Sequence, residues 1–93
     1  DIDAQVGAVA GLVRAWRAGD VRALEQLLLS EFRESPDVYR RLLVDRNRAW
    51  VPQIAACATE AAPCLVVVGG AHLVGPDSVV AMLLQAGFSV EQQ

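Results

Sequence analysis

The only histidine of the chain, His72, follows the apolar run Leu65-Val66-Val67-Val68 and the glycine pair Gly69-Gly70. A neutral imidazole at such a bend can ligate a metal or take a proton as a general base. Glycines let the main chain approach a ligand closely, and the start of a following helix favours negative charge. The competing reading is a histidine that hydrogen-bonds to its own loop backbone. The loop lacks both the Gly-x-Gly-x-x-Gly order and a following Lys-Ser/Thr pair, which argues against a nucleotide site. One histidine without a second ligand nearby in sequence cannot hold a catalytic metal, which typically takes three protein ligands. A second cluster, Asp45-Arg46-Asn47, offers a carboxylate, a guanidinium anchor and an amide. Its bland alternative is a solvated helix flank shared with Arg40, Arg41 and Arg48.

Bulk composition narrows the chemistry further. No lysine occurs, every cation being an arginine. This excludes a Schiff-base lysine and a phosphate-loop lysine. A net charge of -3 disfavours nucleic acid or an anionic membrane as the main partner. No apolar run approaches the ~18 residues that would span a bilayer. Cys57 and Cys64 flank a short Thr-Glu-Ala-Ala-Pro connection. They are either a disulfide, which would indicate an oxidising compartment, or two small buried hydrophobes. The 93 residues allow one small domain, yet 54% are hydrophobic and the mean hydropathy is +0.33. That is more apolar material than a lone small domain readily hides. The chain is therefore expected to oligomerise or to be part of something larger.

The elements that must hold these residues are mostly helical at first. Ile2, Val6, Val9, Val13 and Trp16 recur in steps of four and three, one face of a helix. Gly19 reads as its stop and Asp20 as the N-cap of a second helix, Val21 to about Leu29, with Val21, Leu24, Leu27 and Leu28 inward. The two are expected to form a helical hairpin. Ser35-Pro36-Asp37 starts another helix, with serine as cap and proline in the first helical position. That helix carries Leu43, Asn47, Trp50 and Ile54 on one stripe, so Asn47 needs a polar partner. Pro52 is expected to kink or interrupt it. After Cys64, the apolar run predicts a strand buried on both faces. A helix from about Asp77 to Ala86 follows, ended by Gly87, and then a short strand, Phe88-Ser89-Val90. Strand, helix, strand predicts a βαβ unit with parallel strands and a right-handed crossover. The expected fold class is α/β: a helical part over residues 1–60 and a βαβ part over 64–91, an incomplete piece of a larger α/β fold.

Several of these pieces together resemble a known family. Leu42-Leu43-Val44-Asp45-Arg46-Asn47, the loop Val67-Val68-Gly69-Gly70-Ala71-His72-Leu73-Val74-Gly75, and Ala86-Gly87-Phe88-Ser89-Val90 are similar to the C-terminal part of TraB/GumN proteins, relatives of the Tiki proteases. The Trp-x-x-Gly-Asp pattern at Trp16–Asp20 looks like the helices that precede that part. Family members carry two Gly-x-x-His motifs, and in the Tiki branch these imply a divalent-metal-dependent protease. The resemblance implies that His72 is the late-motif histidine, a metal ligand or base, with Gly69 and Gly70 in its loop. Arg46 and Asn47 would line the same site, and Asp45 stands where relatives carry an acid. It further implies a divalent metal (Mn, Co or Zn) and a peptide substrate for the parent protein. The early motif and the N-terminal half of the fold are missing here, so this chain alone is expected to be inactive. It is expected to pair with that missing half or with another copy of itself. Export to the periplasm or envelope is implied too, as is a second reading: a non-catalytic binding or assembly protein tied to envelope or polysaccharide processes.

Overall fold

The computed structural model describes residues 1–93. Helix α1 spans Ile2–Ala18 and helix α2 spans Val21–Leu29. Between them Gly19 takes φ +66°, with its N–H on Trp16 O and the Asp20 N–H on Ala15 O. This pair of bonds is a Schellman stop, which a left-handed glycine permits at no steric cost. The Asp20 carboxylate then accepts from the Ala23 N–H at 3.1 Å and starts α2. The expected hairpin is present. A 3₁₀ segment, Ser30–Glu34, leads to α3, Pro36–Tyr39. Pro36 and Asp37 occupy the first turn as expected, whereas the Ser35 side chain makes no cap bond.

From Pro36 the chain stays helical to Ala58. A π-helical turn, Arg40–Val44, joins α3 to α4, Asp45–Ala58. Pro52 lies inside α4 and does not interrupt it. Both Pro52 and Arg48, whose carbonyl loses its usual N–H donor, are exposed, so water can take that place. Cys57, in the last turn of α4, and Cys64 are joined by a disulfide, with their Cα atoms 6.3 Å apart. Residues 64–69 run extended to a 3₁₀ turn at Gly70–His72, and the last helix, α5, covers Val79–Gln85. It starts two residues later than expected, with Ser78 Oγ accepting from the Ala81 N–H as the N-cap.

The structure is 69% helical and has no strand and no sheet, so the expected βαβ unit with parallel strands is not formed. Two local causes are visible. The Phe88 N–H is committed to Leu83 O and the Gly87 N–H to Leu84 O, a second Schellman stop that ends α5. Phe88-Ser89-Val90 therefore begins as a helix cap, and the tail beyond it turns to α1, where the Gln92 amide donates to Gly19 O. The Leu65–Val68 run is left extended without a strand beside it. Leu65 is 88% exposed and Val67 82%, so the run is not buried on both faces as its composition predicts.

Few side chains are fully buried. Ala15, Leu24 and Val74 make a small core, packed by Leu12, Ala23, Leu28 and Leu29. Leu43 and Val44 in the π turn, Asn47 in α4, and Ser78 and Val79 at the start of α5 are buried as well. The exposed surface totals 7015 Å². A compact chain of 10.0 kDa would expose about 5,200 Å². The radius of gyration, 14.8 Å, likewise exceeds the roughly 12 Å of a compact domain this long. No helix is long and apolar enough to cross a membrane.

Candidate functional site

The site is built where α4 meets the loop of residues 69–78. Asn47 is the most deeply buried large side chain of the chain, 1% exposed. Its amide Nδ2 donates to the main-chain oxygen of Asp77 at 2.9 Å, and its Oδ1 lies 2.7 Å from His72 Nδ1. These contacts fix the proton positions. Turning the amide over would set Oδ1 against the Asp77 carbonyl, two acceptors facing each other. With Oδ1 toward the ring, His72 Nδ1 must carry the hydrogen and donate it. The other ring nitrogen, Nε2, keeps its lone pair for a proton or a metal.

The imidazole also packs against an aromatic ring. The Trp50 ring lies 4.7 Å away, centroid to centroid, tilted by 51°. Burial pushes the His72 pKa below its ordinary value, and the Arg46 charge pushes it in the same direction. The ring is therefore neutral at pH 7, the state a base or ligand requires. Arg46 is exposed and forms no ion pair within the chain, whose one side-chain salt bridge joins Arg40 to Asp37.

Beneath the loop, the Tyr39 hydroxyl donates to Asp77 Oδ2 at 2.7 Å. Burial, the bond to Asp77 and the nearby carboxylates raise the Tyr39 pKa to about 12, so it stays a donor throughout the neutral range. Gly75 turns the loop with φ +91°, and a Cβ there would sit 2.8 Å from Leu29 Cδ1. A Cβ on Gly70 would come within 3.2 Å of Leu28 Cδ1, so this glycine lets the loop press on α2. Gly69 is extended, with φ −64° and ψ 150°, and a Cβ on it would reach His72 Cδ2 at 3.8 Å.

Of the residues singled out from sequence, Asn47 and His72 are in direct contact and Arg46 acts on the same ring through its charge. Gly69 borders that ring, while Gly70 faces Leu28 and Trp16. Asp45 and Arg48 lie on the exposed flank, as their bland reading has it. His72 bonds to a side chain of α4, not to its own loop backbone. Trp50, Tyr39 and Asp77 were not identified as site residues from sequence. The one available signal was the apolar stripe that places Trp50 one turn beyond Asn47. Tyr39 and Asp77 carried none, because Asp77 reads as the start of a helix.

The donor set does not hold a metal by itself. No three His, Cys, Asp or Glu side chains converge, and His72 Nε2 could supply at most one of the three protein ligands a catalytic metal typically takes. An apolar cleft of about 390 Å³ adjoins the ring's neighbour, bounded by Trp50, Ile54, Cys57 and the extended Val66–Val68. The arrangement is thus a neutral histidine on an amide tether, with an unpaired guanidinium and an apolar cleft nearby. The family comparison agrees with the sequence resemblance. The model of the TraB/PrgY/gumN family matches residues 1–92, and the chain belongs to that family. Neither a curated protein nor a solved structure matches the chain.

Proposed function

We propose that this chain supplies one half of the site of a divalent-metal-dependent hydrolase, a peptidase, and is inactive on its own. The observation that carries the reading is the tethered, neutral His72 whose Nε2 is left free by the Asn47 contact. Within such a site His72 provides one metal ligand or the base, Arg46 offers charge to a substrate carbonyl or carboxylate, and Asn47 holds the ring. The cleft beside Trp50 suits an apolar side chain of a peptide, and the extended Val66–Val68 next to it has main-chain groups that no strand occupies. Mn, Co or Zn would supply a polarised water or carbonyl once the ligand set is complete. The test compares peptide hydrolysis by the whole protein carrying this segment with that of its His72→Ala variant, across a titration of each metal. A loss of at least about 100-fold in kcat supports the role. Unchanged activity and unchanged metal affinity would remove it.

A specific observation also favours a partner surface. On α1, Ile2 is 76% exposed, Val6 62%, Val9 61% and Trp16 65%, a continuous apolar stripe. The excess surface over a compact chain is roughly 1,800 Å², about twice what each side buries in a standard interface. This stripe is the face covered by the remainder of the fold or, in its absence, by another copy of the chain. In the second reading the protein is a non-catalytic binding or assembly module of the cell envelope, and the stripe rather than His72 is its working surface. The disulfide supports an exported location, since such bonds persist in oxidising compartments.

A further inference from the structure

The Tyr39–Asp77 pair stands behind the Asn47–His72 contact. Asp77 touches two residues of the long helix at once. Its carboxylate accepts from the Tyr39 hydroxyl at 2.7 Å, and its main-chain oxygen accepts from Asn47 Nδ2 at 2.9 Å. Tyr39 and Asn47 are eight residues apart, which on a regular α-helix sets them about 80° out of line. The π-helical turn Arg40–Val44 lies between them. A π turn absorbs one extra residue, roughly 100° of rotation, and returns the two side chains to within about 20° of each other. Both therefore reach the same loop residue.

We propose that Tyr39 and Asp77 are positioning residues that select, through Asn47, which nitrogen of His72 carries the proton. Tyr39 holds Asp77 so that its carbonyl faces Asn47 Nδ2. That carbonyl admits only the NH₂ end of the amide, so the amide oxygen faces the ring and the ring proton resides on Nδ1. Nε2 is left as the lone-pair nitrogen. The Ser78 Oγ bond to the Ala81 N–H anchors the far end of the same segment, so Tyr39 is the tether on the side facing α4. The proposal rests on the reading that His72 works through Nε2, but its test does not.

His72 and Tyr39 are the only histidine and tyrosine of the chain, so ring signals are unambiguous. Long-range ¹H–¹⁵N correlation on the ¹⁵N-labelled 93-residue chain at pH 8, without metal or substrate, reports the tautomer directly. The wild type is expected to show a pyrrole-like Nδ1 and a pyridine-like Nε2. Tyr39→Phe, with helix content unchanged by circular dichroism, is expected to move the two ¹⁵N resonances toward each other as the second tautomer becomes populated. Asp77→Asn keeps an acceptor for the Tyr39 hydroxyl and the main-chain oxygen, and is expected to keep the wild-type pattern. A wild-type ring protonated on Nε2, or Tyr39→Phe signals identical to wild type, would overturn the proposal. Should the tautomer behave as expected while His72→Ala leaves hydrolysis by the whole protein intact, the hydrolase reading falls and the positioning role stands.

Discussion

The stripe on α1 and the knot around Asn47 are built from opposite materials and lie in opposite environments. Helix α1 is the longest single helix and has a regular apolar spacing, yet that spacing points at solvent. The knot is polar and sits partly on an irregular loop, yet Asn47 and Ser78 are more deeply buried than most of the apolar core, and no buried side-chain polar atom lacks a partner. Polar groups are costly to bury unless every partner is in place, so the knot is finished within this chain. An apolar stripe has no such requirement and can remain uncovered until another surface meets it. The contrast separates a polar cluster whose partners all lie within the chain from an apolar face that the chain leaves exposed.

The largest test of the contrast is Asn47→Ala. It strips the partner from His72 Nδ1 and from the Asp77 carbonyl and leaves a void, and is expected to cost about 3 kcal/mol in urea denaturation. A cost under about 1 kcal/mol would mean the knot is not the closed unit described. A smaller effect is expected from pH. The folded pKa of His72 lies below the unfolded value of 6.5, so protonation favours the unfolded chain. The stability this supplies is present above pH 6.5 and is lost as pH falls through the folded value. Denaturation midpoints measured between pH 7.5 and pH 5 should therefore drop, and drop less in His72→Gln. The smallest effect on stability is expected on α1. Val6→Gln combined with Val13→Gln should change the stability of the monomer by no more than about 0.5 kcal/mol each. The same pair should abolish any concentration-dependent association seen by sedimentation. Loss of the monomer's own stability instead would show that α1 already buries this face.

Most helices could be placed from the sequence because their limits are set locally. Gly19 and Asp20 punctuate the hairpin through their own backbone and side-chain bonds, and Pro36 fixes the start of α3. The strands failed for the same kind of reason taken one step further. Leu65–Val68 has the composition of a strand, but a strand exists only when another lies beside it, and the Phe88 N–H is committed to the end of α5. Pro52 does not interrupt α4 because an exposed helix face tolerates a missing donor that a buried one would not.

His72, Asn47 and Arg46 were legible as residue types that can do chemistry, and the family resemblance of the chain as a whole agrees with the match over residues 1–92. By itself the sequence determined that the only imidazole sits in a glycine-bounded loop and that an asparagine on an apolar stripe must find a polar partner. Only the tertiary structure decided that each answers the other's need, at 2.7 Å, with Trp50 against the ring and Asp77 behind the amide. Such contacts depend on the register of a helix across a π turn and on the path of a loop, and no local spacing encodes either. The same holds for the α1 stripe: its pattern is written in steps of three and four, but whether it is covered depends on what else is folded against it.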